Sequence, residues 1–349
     1  AVCLLLYGSL DGRYDRKQLI IGAMLFWSVM SAAASFALRT QFWLFCLLRA
    51  FNGVGAAAIT TLTLPIIGEY LHGSMRGYAV MFFATSTLIA NTITMSTSSV
   101  LVEWAVSWQW LLRLPLPLVA ASLLILLVVM PNSRGVRTRS PFCFFDLLQS
   151  FRRLFSVRSY KYLLLAQFFQ SPMIASDIFW STTLLKRAMD MFAGTPDARI
   201  FHGLGFAAVM TLTSTFGAAA AIGGMFTGTA FADAWLNGRG CFRRLGRSKL
   251  RAPALTALAC AILTSLAFST SLFLLTRDII AYIVVSLFST SVGSAAMPLY
   301  SHMMLDTVPL RQRALACAVQ PLMQTLIDSA IYSIIGADCL DLGPRILHN

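Results

Sequence analysis

The 349-residue chain is 57% hydrophobic and only 12% charged, with a mean hydropathy of +0.72 and a formal net charge of +13. So much apolar surface exceeds what a soluble core of this size can bury, which excludes an ordinary soluble domain and places the chain in lipid. Apolar runs of about 20 residues, the length a helix needs to cross the hydrocarbon core, recur along it and are far too long for barrel strands, so an all-helical membrane fold is predicted.

In chain order, residues 1–10 (AVCLLLYGSL) read as the tail of an earlier helix. The first residue is Ala, so the text is read as beginning inside a span rather than with a signal peptide. A tight basic loop, GSLDGRYDRKQLI from Gly8 to Ile20, follows. Complete spans are then predicted at 18–38, 42–69, 77–102, 109–130, 159–185, 204–230, 252–276, 279–303 and 314–336, nine in all, and the polar end DCLDLGPRILHN carries no further span. The longest polar stretch separates two halves. Three segments result: 1–130 as a first bundle, 131–158 as a basic linker, and 159–349 as a second bundle. Within the linker, Phe142 to Phe155 spaces apolar residues as a helix does, beside Arg152 and Arg153, which predicts an amphipathic helix on the inner membrane surface.

The basic residues test this layout, because Lys and Arg accumulate in cytoplasmic loops. With alternating loops, 19 of the 27 fall on one side, including Arg13, Arg16, Lys17, Arg76 and the clusters at 134–161, 239–251 and 311–313; only 5 fall on the other. A missing span would scramble that asymmetry. The same distribution excludes nucleic acid as a partner, since the pI near 9.9 reflects loop orientation and not one basic face. Seven cysteines show no Cys-x-x-Cys spacing and are read as packing residues and reduced thiols. No Ser/His/Asp constellation, phosphate-cradling loop or carboxylate pair stands out, so no enzyme, cofactor or metal is predicted.

The Gly-x-Leu-x-x-Arg-Tyr-x-Arg-Lys run at Gly8 to Lys17 resembles the loop joining the second and third helices of major facilitator transporters. GTAFADAW (Gly228 to Trp235), leading into RGCFRRLGRSK, stands where a degenerate second copy belongs, and the pair fits two pseudo-symmetric bundles. Within that superfamily, FWLFCLLRAFNGVGAAA (Phe42 to Ala58) is similar to the fourth helix of Spinster-type transporters, and WQWLLRLPLPL (Trp108 to Leu118) to the start of their sixth. MPNSRG resembles the Pro-rich end of that sixth helix and FWSTTLLKR the end of the seventh. VPLRQRALA (Val308 to Ala316) resembles the loop before the eleventh, in which Asp328 and Gly336 match family positions.

The resemblance implies a twelve-helix fold of which about ten are present here. It also implies release or export of amphipathic lipids, such as lysophospholipids or sphingoid phosphates, by alternating access, with protons a candidate coupling ion and the lysosomal, endosomal or plasma membrane the setting. A carrier of small organic anions or sugars is the alternative cargo class, and a non-transporting sensor or scaffold the alternative role. Two departures stand out. The family's Gly-Asp-Arg is Asp11-Gly12-Arg13 here, so Asp11 either caps the next helix or pairs with an Arg, and Ala56 replaces the Glu that usually follows Gly-Val-Gly.

Ionisable residues inside spans are the candidate substrate contacts, because a charge at the bilayer centre costs about 2.5–3.5 kcal/mol on insertion scales. Arg49 suits a phosphate or carboxylate head group, or serves a structural bond. Arg113, near a helix end, either snorkels or binds. Asp177 shares a helix with Gln167 and Gln170, and Asp328 follows Gln320 and Gln324 along its own. Asn91 with Thr92, Thr94, Ser96 and Ser98 marks either a helix contact or a wet cavity. His302 and Asp306, four residues apart, read as an interfacial salt bridge or cap. In the basic loop, Gly8, Leu10, Asp11, Arg13, Arg16 and Lys17 form a candidate gating motif, with simple anchoring of the loop as the other reading.

Overall fold

The computed structural model describes residues 2–11, 14–37, 41–71, 74–104, 107, 109–129, 144–171, 206–238, 251–274, 279–309 and 312–346. They form α1 (Val2–Leu10), α2 (Arg16–Ala34), α3 (Phe42–Tyr70), α4 (Ser74–Glu103), α5 (Gln109–Arg113), α6 (Pro115–Val129), α7 (Phe144–Ser156), α8 (158–171), α9 (Phe206–Leu236), α10 (Arg251–Leu274), α11 (Ile279–Thr307) and α12 (Arg313–Ile346). No strand is present among the described residues, only an isolated bridge between Asp11 and Tyr14.

Seven helices among the described residues are long and apolar enough to cross a membrane: Arg16–Ala34, Phe42–Tyr70, Ser74–Ser98, Gln109–Val128, Ala208–Leu236, Arg251–Leu274 and Ile280–Thr307. Of the two other predicted spans, that at 159–185 is described as helix over 158–171, and that at 314–336 lies within α12. Most boundaries fall within a few residues of the sequence reading, and two differences stand out. The predicted 109–130 span is interrupted at Leu114, because Pro115 disfavours helical geometry in the residue before it and itself sits well at the first position of a new helix. The last helix runs ten residues past 336, to Ile346.

Small residues bring the helices together, as they do in bilayers, where no hydrophobic force drives helices to each other. A Cβ on Gly55 of α3 would lie 2.6 Å from the Ala23 carbonyl oxygen of α2, and Asn52 Nδ2 donates to the Trp27 carbonyl at 3.3 Å. In the second half, Gly224 and Gly228 of α9 lie against the backbone of Ser291 and Ala295 of α11. α10 packs on α11 and α6 on α2, while α1 and α3 meet α12, and α4 meets α9 and α11, across the halves.

Burial concentrates at one end, the end that carries the basic loops. α4 is buried at Arg76, Val80, Met81 and Thr85, and its side chains from Ser86 to Met95 are exposed or half-buried. α12 is buried from Ala314 to Gln320 and exposed or half-buried from Pro321 to Ala330. The main core joins Leu64, Leu154, Tyr160, Met304, Leu305 and Val319 at this same end.

The same core takes in the C-terminal half of α7: Leu154 is fully buried, and the Phe155 ring meets Tyr160 edge-on at 6.2 Å. Tyr160 in turn donates its hydroxyl to the Ala316 carbonyl of α12 at 3.2 Å. Arg152 and Arg153 remain exposed on the other side.

Candidate functional site

The basic end is a seam between the halves, built in two places. In the first, α1 runs against α12. Gly8 is buried there, and a Cβ added to it would meet the Ala318 Cβ at 2.8 Å, the Ala314 carbonyl oxygen at 3.1 Å and the Leu315 Cα at 3.3 Å. Leu10 is half-buried at the end of α1. Only a residue without a side chain allows this approach.

Immediately beyond, Arg16 opens α2 with its side chain 7% exposed. Its guanidinium grips Asp11 through Nε and through Nη2 at 2.8 Å, and Nη1 reaches Glu69 Oε2 at the end of α3 at 2.6 Å. The transposed Asp11-Gly12 order is thereby accommodated, because Asp11 pairs with Arg16 and the helix cap falls to Asp15, whose carboxylate accepts from the Lys17 backbone N–H at 3.2 Å. Lys17 Nζ donates to the Leu127 carbonyl at the C-terminal end of α6, 2.9 Å away, where the helix dipole favours a cation. Arg13 lies outside the described residues. From the other half, Arg313 Nη1 donates to the Gly68 carbonyl of α3 at 3.1 Å, so the seam is bonded as well as packed.

The second contact joins α4 to α11. Arg76, buried near the start of α4, bonds Asp306 through Nη2 and places the same nitrogen 3.5 Å from His302 Nε2; His302 Nδ1 lies 3.4 Å from the other Asp306 oxygen. The His302–Asp306 pair is thus part of a three-residue cluster that crosses between the halves. A cavity of about 560 Å³ adjoins it, lined by Arg76, Thr229, Asp233, His302 and Asp306 among others.

The candidate substrate residues are placed apart from one another. Arg49 is exposed on α3 and makes no ion pair or hydrogen bond among the described residues; one turn on, a Cβ on Gly53 would touch nothing within 4 Å. Ala56 lies two turns from Arg49 on the same side of the helix. Arg113 is held, with Nε donating to the Ser35 hydroxyl at 3.0 Å and its guanidinium over the rings of Phe36 and Trp110 at 4.7 and 5.3 Å, so it fastens α5 to the end of α2. Asp328 accepts from the Ser171 hydroxyl at 3.0 and 3.2 Å, joining α12 to α8. Asp177 lies outside the described residues. Gln170, predicted to share its face, instead accepts from the Tyr300 hydroxyl at 2.5 Å and donates to the Gly293 carbonyl at 3.3 Å. Asn91 and Thr94 are exposed on α4. No group of three metal-ligating side chains occurs among the described residues.

Sequence reasoning missed Glu69 and Arg76 as participants. Glu69 is the lone acid of α3, and that was its signal; Arg76 was counted only for its side of the membrane.

Residues 1–329 match the family described as Major Facilitator Superfamily. The chain belongs to the major facilitator superfamily. Within the superfamily its sequence is Spinster-like. It is 26% identical over 189 residues to protein spinster homolog 3 of Danio rerio, covering 52% of this chain and 37% of that protein. It is 33% identical over 134 residues to protein spinster homolog 1 of Rattus norvegicus, covering 38% of this chain and 25% of that protein. The chain therefore spans well under half the length of the curated relatives it matches. Among solved structures, the human organic anion transporter MFSD10 (TETRAN) superposes with a TM-score of 0.66 at 14% identity, covering 94% of this chain and 72% of that one. A bacterial homologue of the human lysosomal transporter Spinster, inward-facing and unoccupied, gives 0.53 at 18% identity over 93% of this chain and 70% of that one. These likenesses establish the major facilitator fold for a multi-pass membrane protein.

Proposed function

We propose that this chain is part of an alternating-access carrier of an amphipathic lipid, a lysophospholipid or sphingoid phosphate, residing in the lysosomal, endosomal or plasma membrane. The observation that carries the reading is the bonded seam at the basic end, where α1 meets α12 and α4 meets α11, set against the exposed side chains of α4 and α12 toward the other end. That is the form of a carrier closed on its cytoplasmic side, with one bundle (1–130) and the other (159–349) joined through 131–158. Gly8, Leu10, Asp11, Arg13, Arg16 and Lys17 act as the gate. Gly8 closes the seam by packing directly on α12, the Arg16–Asp11–Glu69 cluster and Lys17 fix the loop within the first bundle, and the seam parts when the bundles rock.

The lipid class is supported by the sequence likeness to the spinster homologues. Arg49 receives the anionic head group, since a guanidinium presents paired donors to phosphate. Asp328 and Asp177 are the acidic groups available for a proton or for a cationic part of the substrate, and Arg113 has the smaller share because its donors are engaged. Protons are the proposed coupling ion.

The test is flux in proteoliposomes. Labelled lysophospholipid, sphingoid phosphate, a small organic anion and hexose are compared with and without a pH gradient. Lipid movement lost in Arg49→Ala supports the reading; movement of hexose or anion alone, or of nothing, overturns it.

A further inference from the structure

The α4–α11 contact carries chemistry that the gate does not use. Arginine is a donor only, and an ionised carboxylate is an acceptor only. His302 sits between one of each, with Nε2 3.5 Å from Arg76 Nη2 and Nδ1 3.4 Å from Asp306 Oδ2. One state of the ring satisfies both neighbours: the neutral tautomer with its proton on Nδ1 donates to Asp306 and accepts from Arg76. A second proton on Nε2 would point an N–H at a guanidinium N–H. It would also make the ring a cation that competes with Arg76 for the same carboxylate.

Because His302 and Asp306 lie on the same helix while Arg76 belongs to α4, protonation moves the Asp306 partnership from between the halves to within one of them. Among the described residues, the remaining charges near the ring are Asp233 of α9, which lines the same cavity, and Arg313 of α12, which lies in range of Arg76 and Asp306. From α10 the cavity receives Pro253, which carries no charge. Among the described residues Arg76 Nε and Thr229 Oγ1 have no hydrogen-bond partner, and a cavity of this size has room for water that would serve them and deliver protons.

We infer that His302 is a proton-binding site that opens the inner seam, by taking Asp306 away from Arg76 when it becomes charged. The test brackets the change with pH 7.5 and pH 5.5, between which an unperturbed histidine passes from mostly neutral to mostly charged. The inference rests on the alternating-access reading, yet its test follows distance and needs no substrate, so failure of the lipid assay and failure of this site are distinguishable.

Spin labels placed at Ser74 and Thr307, in protein whose native cysteines are replaced, report the α4–α11 separation in nanodiscs at the two pH values. The expected result is about a fivefold rise in the ratio of the longer to the shorter distance on acidification, as for a proton bound ten times more tightly in the open state and titrating across this range. His302→Gln, whose amide can donate and accept as the neutral ring does, holds the short distance at both pH values. Asp306→Asn gives the long distance at both. The inference is overturned if the parent protein does not shift, if His302→Gln still shifts, or if Asp306→Asn stays closed.

Discussion

Gly8→Ala adds one carbon atom at the tightest point of the α1–α12 seam. Its Cβ would sit 2.8 Å from the Ala318 Cβ, whereas carbon atoms rest at about 3.5–4.0 Å, so the helices must part by roughly 1 Å. The three heavy atoms nearest that Cβ all belong to α12, and the strain therefore falls on the closed seam and vanishes when the halves separate. Overpacking of this kind costs about 1–3 kcal/mol. Charged to one of two conformations, that moves their ratio by about 5- to 150-fold toward the state open at the basic end. Spin labels at Tyr14 and Pro309, with native cysteines replaced, read the separation directly. Two other glycines serve as controls. Gly53→Ala meets nothing within 4 Å and leaves the distances unchanged, while Gly224→Ala runs into the Ser291 carbonyl within one half and lowers thermal stability without favouring either conformation. An unaltered distance distribution in Gly8→Ala would refute the seam as a conformational lock.

Three further outcomes follow from the same geometry. Arg16→Met removes the cation from two carboxylates, one of them 10% exposed, and is expected to cost about 3–5 kcal/mol, read as a lowered unfolding temperature in detergent; an unchanged temperature would mean that the cluster is solvated. Leu154→Ala is expected to cost about 2–5 kcal/mol if α7 is docked on protein, and nothing measurable if it rests on lipid, so thermal unfolding again decides. Arg49→Ala leaves stability untouched because the side chain is exposed and unbonded among the described residues; loss of a charged hydrogen bond of about 1.5–3 kcal/mol raises the KM for an anionic lipid by roughly 10- to 150-fold. A KM unchanged for every anionic substrate would remove Arg49 from the binding site.

The membrane helices were legible because lipid leaves the backbone few choices, and the alternation of basic loops fixed their order. The proline at 115 carried the break between α5 and α6, but hydropathy averages over a single residue and read through it. The seam was legible only in part. Gly8, Arg16 and Lys17 stand in a recognisable loop, while the partner of Arg16 is 53 positions away at Glu69, and no local pattern links the two. The same holds for Arg76 and Asp306, separated by 230 residues. The amphipathic pattern of α7 was plain, yet periodicity reports an apolar face without saying whether lipid or protein covers it. The transposed Asp11-Gly12 left two roles open, and three-dimensional proximity to Arg16 chose between them.

The most direct measurement is uptake of labelled lysophospholipid or sphingoid phosphate into proteoliposomes carrying the protein, compared with the Arg49→Ala and Gly8→Ala variants. A carrier predicts saturable lipid movement in the parent protein, weakened binding in the first variant and an altered rate in the second. Lipid movement that equals protein-free vesicles, or that both variants leave untouched, would contradict it.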